Sequence, residues 1–427
     1  MATQPTMGMD PYAIPLEDID VSQRELFRDD TIHAYFQRLR QEDPVHHCAS
    51  SRYGPYWSVT RYKDIMQVDT NHKIFSSEGK LGGIVINQEV LRRMGENTTE
   101  TLELETFIAM DPPKHDVQRA AVSPVVAPRN LARLEEVVRG HAQEILDGLP
   151  MGEDFDWVKH VSIELTTRML ATIFDFPFEE RSKLTRWSDV AGAEPGDGRV
   201  ESHEQRVEEL MECASYFMNL YSERLKQDQM DEERPDLLSM LARSPATRNM
   251  PPDEFLGNII LLIVGGNDTT RNSITGGVLA LNMCPDQYAK LTANPGLIPS
   301  LVPEIIRWQS PIAHMARTAL NDTELGGKTI HRGDRVAMWY LSGNRDDDQI
   351  DRPHELIIDR PNPRQHLSFG YGIHRCVGNR LAELQLRVLW EEILPRFKRI
   401  EVTGEPQRVC SNVIHGYESM PVRVYPN

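Results

Sequence analysis

Ten residues, Phe369 to Gly378, read Phe-Gly-Tyr-Gly-Ile-His-Arg-Cys-Val-Gly and set one cysteine, Cys376, between closely spaced glycines. A helical pattern follows at once, through Leu381, Leu384, Leu386, Leu389 and Trp390. A helix starting there turns free N–H groups and its positive end toward the sulfur, which favours a thiolate. Gly372 permits a tight bend, Gly378 leaves room for something flat, and Phe369 screens the sulfur from water. A lone cysteine is more often a small buried hydrophobe, but these surroundings are those of a Cys-ligated metal macrocycle.

Three further groupings carry chemistry. Gly265-Gly266-Asn267-Asp268-Thr269-Thr270 interrupts an apolar helical pattern; glycine pairs and a Thr hydroxyl bonding back to a carbonyl open a helical turn. Small residues there admit a diatomic ligand and a substrate, and an acid beside an alcohol can relay protons. His115 and Arg119 are four apart, share a helix face and can grip a carboxylate. Glu304 and Arg307, three apart, can form a buried pair.

Phe369, Gly372, His374, Cys376 and Gly378 match the haem-binding signature of the cytochrome P450 superfamily, the haem-thiolate monooxygenases, and the resemblance extends over nearly the whole chain. It implies a mainly α fold with a smaller β-rich lobe, and haem b (iron protoporphyrin IX) between the long central helix and the Cys-bearing loop. Cys376 is then the axial ligand of the iron. Asp268 and Thr269 match the oxygen-activation motif as acid and alcohol. His115, Arg119, Arg317 and His374 match propionate-binding positions, with Phe369 and Gly378 beside the haem. Glu304 and Arg307 match the structural Glu-x-x-Arg. One departure is Glu355, where many relatives have Arg; Arg352 or His354 is the expected substitute.

The resemblance further implies hydroxylation of an unactivated C–H bond by O2 and two electrons. The segments Leu262 to Asn272, Met338 to Arg345 and Arg364 to Gly370 look like the bacterial branch that hydroxylates the terminal carbon of medium-chain alkanes and fatty acids. A steroid or terpenoid hydroxylase is the nearest rival, and a non-catalytic haem-thiolate sensor a remote one. Ile84, Val85, Ile86, Val264, Gly265, Ile312, Val413 and Ile414 are the candidate lining for a small apolar substrate. No iron–sulfur cysteine pattern and no flavin or nicotinamide fingerprint is present. Electrons are therefore expected from a separate protein, a [2Fe-2S] ferredoxin with its reductase, meeting Arg364, Arg375, Arg380 and Arg387.

The elements that must position these residues follow from periodicity. A helix on the order of 45 Å long spans Asp253 to Met283 and stops at Pro285. Amphipathic patterns predict helices at Thr31 to Gln41, Leu131 to Leu149, Val158 to Phe174, His203 to Lys226 and Pro299 to Trp308, and one opening at Asp111-Pro112-Pro113. Tyr56 to Tyr62, Val336 to Leu341 and Val413 to Val424 read as strands or strand-like turns. The helical bulk thus lies at about 111–308 and the β-rich parts at about 44–75 and 311–427, in a single domain over 1–427. Residues 1–20 are expected to be mobile, Ser76 to Met110 to act as a lid, and Ala191 to Gly198 to gate access.

Composition bounds the partners. The net charge of −17 opposes binding to nucleic acid or anionic membranes. Five scattered cysteines without a Cys-x-x-Cys pair suit a reducing cytoplasm. Met1 to Asp20 has no basic, apolar leader pattern, and the apolar run Ile259 to Val264 is too short to span a bilayer, so no membrane anchor is expected.

Overall fold

The computed structural model describes residues 10–87, 104–193, 198–227 and 234–427. Residues 1–9 of the expected mobile start, the middle of the Ser76 to Met110 lid and the centre of the Ala191 to Gly198 gate lie outside the described residues; the rest of that start, 10–20, is held in place, with Ile14 and Ile19 buried in a core cluster. The chain divides into two compact units, each discontinuous: Met1–Val90, Thr275–Cys376 and Glu401–Val422 form one, and Leu91–Ile274, Val377–Ile400 and Arg423–Asn427 the other.

In the first unit a five-stranded sheet runs in the order Val45–Cys48, Tyr56–Val59, Arg335–Met338, Met315–Ala319, Phe75–Ser76. Only the pairing of Tyr56–Val59 with Arg335–Met338 is parallel, joining Val59 to Met338; the others are antiparallel. The expected strand at Tyr56 ends at Val59, and Tyr62 already opens the helix Tyr62–Asp69. The helix Ile32–Glu42 buries Ile32, Tyr35, Phe36 and Leu39, the spacing of one helical face. Phe27 and Phe36 pack on Trp339, with ring centroids 5.9 and 5.3 Å away.

The Glu-x-x-Arg pair is completed in an unexpected way. On the helix Ile298–Gln309, Glu304 and Arg307 are fully buried and form a bidentate pair, with both N···O distances 2.8 Å. The third member is Arg360, whose Nε lies 3.0 Å from Glu304 Oε2. Neither expected substitute serves: Arg352 is exposed and pairs with Glu355 at 3.2 Å, and His354 lies 3.8 Å from Asp347. Arg307 also donates to the carbonyls of Asn344 and Pro353, at 2.9 and 2.8 Å. The charged cluster therefore pins the chain that leads to the Cys loop.

The second unit is helical. Helices Glu164–Phe174, Ser182–Ala191, His203–Gln227 and Leu237–Arg243 pack with the N-terminal part of the helix Pro252–Met283, and the helix Pro128–Asp147 packs elsewhere in the unit. Leu170, Phe174, Trp187, Phe217, Phe255 and Ile259 share one apolar cluster. A second cluster joins Leu134 and Val138 to Leu384 and Val388 of the helix Asn379–Arg396, and Arg139 adds bonds to Glu391 and Glu392 at 2.6 and 2.7 Å. The architecture is thus mainly α with smaller sheets. No helix among the described residues is long and apolar enough to cross a membrane.

Candidate functional site

Cys376 is the one exposed thiol of five. Its backbone N–H donates to the Phe369 carbonyl at 2.8 Å, which closes the loop on itself. Gly372 has a φ of +66°, and a side-chain carbon there would collide with the Asp69 carbonyl; the bend needs glycine twice over. Gly378 precedes the helix Asn379–Arg396 with φ −86°, an angle open to any residue. By contrast, burial pushes the Cys48 thiol up to about 12 and raises that of Cys213, so those two are inert thiols.

Asp69, which the sequence reading missed, organises this loop. It is 3% exposed and ends the helix Tyr62–Asp69. Its Oδ2 accepts from the Tyr371 N–H at 2.7 Å and the Tyr340 hydroxyl at 2.9 Å. Its Oδ1 accepts from Arg317 Nη2 at 2.8 Å. Arg317 is accordingly buried and bound, its Nη1 donating to the Ala316 carbonyl at 2.8 Å. One carboxylate thus fixes both the Cys loop and the Arg317 strand. His374 is buried beside Cys376 in the same loop.

The helix Pro252–Met283, which lies in the second unit as far as Ile274, runs unbroken through its glycines, so the turn does not open as expected. The predicted back-bond is present: Thr269 Oγ1 donates to the Gly265 carbonyl at 2.9 Å. Gly265 is exposed within this otherwise mostly buried stretch, and a methyl group there would meet nothing within 4 Å. Asp268 is 1% exposed; its Oδ1 accepts from Ser188 Oγ at 3.1 Å and faces Arg271 Nη2 at 3.2 Å. Its Oδ2 has no partner among the described residues. Burial raises the Asp268 pKa, against the opposing charge of Arg271. Arg271 also donates to Asp189 at 2.8 Å, a carboxylate 28% exposed, so one guanidinium holds a buried acid and one that meets water. Val264 packs on the apolar cluster of this unit.

His115 and Arg119 share a face of the helix Lys114–Val122, His115 buried and Arg119 half-buried. His115 Nδ1 lies 2.7 Å from Asp116 Oδ1.

The remaining candidate lining residues meet within the first unit. Ile312 bridges Ile414, the Ala313 N–H donates to the Val413 carbonyl at 2.8 Å, and the Ala316 N–H donates to the Ile84 carbonyl at 2.6 Å. Their clamp is His314, also missed as a functional residue. Its Nδ1 donates to the Asn412 carbonyl at 2.8 Å, and its Nε2 accepts from the Ile86 N–H at 3.3 Å. Burial lowers its pKa to about 4, so the clamp is neutral. Arg335 Nη2 donates to the Val85 carbonyl at 3.0 Å and supports the same segment.

Of the four arginines expected to meet an electron donor, Arg364, Arg375 and Arg380 are exposed. Arg387 is paired with Glu135 and Glu391, each at 2.8 Å, so its charge is already answered within the protein.

Comparison with known proteins agrees with this geometry. The family model described as Cytochrome P450 matches residues 296–413. Linalool 8-monooxygenase of Pseudomonas putida is 34% identical over 415 residues, covering 96% of this chain and 100% of that protein. Methyl-branched lipid omega-hydroxylase of Mycobacterium tuberculosis is 30% identical over 430 residues, covering 97% of this chain and 96% of that protein. The solved structure of cytochrome P450-153 from Novosphingobium aromaticivorans aligns with a TM-score of 0.85 at 43% identity, covering 95% of this chain and 99% of that one. With a relative above 30% identity matching end to end, the chain belongs to the cytochrome P450 family, the oxidoreductases that insert oxygen at a haem-thiolate centre.

Proposed function

We propose that this cytochrome P450 hydroxylates the terminal carbon of a medium-chain alkane or fatty acid, with haem b as its cofactor and a separate ferredoxin with its reductase as electron source, in the cytoplasm. The observation that carries the substrate class is the hydrocarbon set Ile84, Val85, Ile86, Ile312, Val413 and Ile414, held around a neutral His314. Of these, Ile84, Val85, Ile312 and Val413 are half-buried and can offer a linear chain dispersion contact without asking for a charge on it. The relative named as an omega-hydroxylase supports the terminal position. A terpenoid or steroid hydroxylase is the second reading, favoured by the relative named linalool 8-monooxygenase.

The residues present fit a haem. An exposed thiol stands in a loop closed by its own backbone bond, and Gly265 leaves open space on the helix that carries the acid–alcohol pair. Cys376 is the iron ligand in this reading, with Phe369 and Gly378 beside the ring and His115, Arg119, Arg317 and His374 toward the propionates. When bound, a thiolate-ligated haem supplies the oxidising chemistry. The protein's part is to move protons and exclude water. Thr269 has its own hydroxyl hydrogen committed to the Gly265 carbonyl, so its oxygen faces outward as an acceptor. Asp268, whose pKa burial raises and whose Oδ2 no described residue engages, is placed to pass a proton. The whole of 1–427 acts as one catalytic domain in this reading.

Spectral titration of the ferric protein with dodecane, lauric acid, linalool and a sterol tests the substrate class. Tightest low-to-high-spin conversion is expected with the linear compounds. Stronger conversion by linalool or the sterol would replace the proposal with the second reading.

A further inference from the structure

Asp30 lies in the turn before the helix Ile32–Glu42, His33 sits in its first turn, and His415 comes from the C-terminal loop. One oxygen or nitrogen of each lies within 4.8 Å of those of the other two. His33 Nε2 is 3.9 Å from Asp30 Oδ1, and the two imidazole rings are nearly perpendicular with centroids 6.1 Å apart. None of the three takes part in the oxygenase chemistry above.

His415 is set up as a ligand. Its Nδ1 lies 2.6 Å from the Gln309 carbonyl oxygen, which can only accept, so Nδ1 carries the proton and Nε2 the lone pair. The His415 N–H donates to the Pro311 carbonyl at 2.9 Å, and its own carbonyl accepts from Gln309 Nε2 at 2.8 Å, which fixes the residue at both ends. His415 is 5% exposed, and Nε2 has no partner among the described residues. A buried lone pair with no donor facing it is costly unless something fills the position.

The other two donors complete a set. His33, in the first turn of the helix Ile32–Glu42, brings its Nε2 to the same side as Asp30 Oδ1. Arg408 Nη2 holds Asp30 Oδ2 at 2.6 Å and leaves Oδ1 on the side of His33. Two imidazoles and one carboxylate, orienting partners included, are the donor set of a zinc-like divalent ion. Arg408, paired with Asp30, opposes the ion's charge and weakens its binding.

We propose that Asp30, His33 and His415 bind one zinc ion, with water closing its coordination on the exposed Asp30 side. The ion would join the start of the helix Ile32–Glu42 to the loop that carries Val413 and Ile414, and so rigidify that loop.

The test uses the full haem-loaded chain, with zinc alone as the probe, in equilibrium dialysis read by atomic emission and in diffraction at the zinc absorption edge. One saturable ion at micromolar zinc is expected, with an anomalous peak among the three side chains. His33→Ala and Asp30→Asn, both on the solvent side, should each weaken it at least about tenfold, with circular dichroism checking their folds. Zinc should raise the melting temperature of the wild type and not of either variant. No saturable binding, equal affinity in both variants, or an anomalous peak elsewhere would overturn the proposal; so would an ordered water as the lasting occupant at His415 Nε2.

Discussion

Asp268 and Thr269 are neighbours in sequence with opposite surroundings: the acid is sealed from water, the alcohol half-buried beside a glycine that faces open space. Thr269→Ala should release hydrogen peroxide in place of product at nearly unchanged electron consumption; unchanged coupling would remove Thr269 from the mechanism. Asp268→Asn should slow turnover by about 10²-fold, the usual scale for a positioned proton donor, and enlarge the solvent isotope effect. Its stability should also respond to pH. Because burial raises the folded pKa of Asp268 above its unfolded value, the folded state holds the proton more tightly. The wild type therefore loses stability as pH rises through that window, and Asp268→Asn should gain on it over the same range. Denaturant titrations at several pH values check the sign.

At the scale of elements, two buried acids hold the segments that the chemistry needs. Burial alone would raise the Glu304 pKa, but hydrogen bonds and charge from Arg307 and Arg360 outweigh it and leave it lowered. A lowered folded pKa means that this stability is present above the ordinary glutamate range and is lost as pH falls through the folded value. Glu304→Gln should cost about 3–5 kcal/mol at neutral pH, since it leaves two buried guanidinium groups underpaired, and should flatten the acid limb of the stability profile. Asp69→Ala frees the Tyr371 N–H and unpairs Arg317 at once. Faster haem release to apomyoglobin is the expected result, and an unchanged rate would separate Asp69 from the cofactor loop.

For the whole molecule, charge decides who approaches. On a chain of net charge −17, an acidic redox protein needs a local basic landing point. Arg375 is exposed, with its guanidinium 5.7 Å from the Tyr371 ring centroid, close to Cys376 in sequence. Arg375→Glu should lower the second-order rate of reduction by an acidic ferredoxin roughly tenfold at low salt, with the difference shrinking as salt is added. Equal rates at all salt concentrations would move the landing point elsewhere.

The sequence by itself determined the groupings that depend on local spacing. Cys376 with its glycines, the Asp268-Thr269 pair and the Glu304-Arg307 pair lie within single turns or loops, and helix periodicity placed them to within a few residues. Tertiary structure decided what long-range pairing alone can set. Arg360 reaches Glu304 across 56 residues, Asp69 meets Arg317 across 248, and His314 meets Asn412 across 98. An isolated Asp or His in a sequence carries no sign of its partner, because partnership is fixed by which backbone segments the core brings together and by burial that leaves no water to substitute. The continuity of the central helix was settled the same way: packing of its flanks holds a stretch whose own residues are poor helix formers.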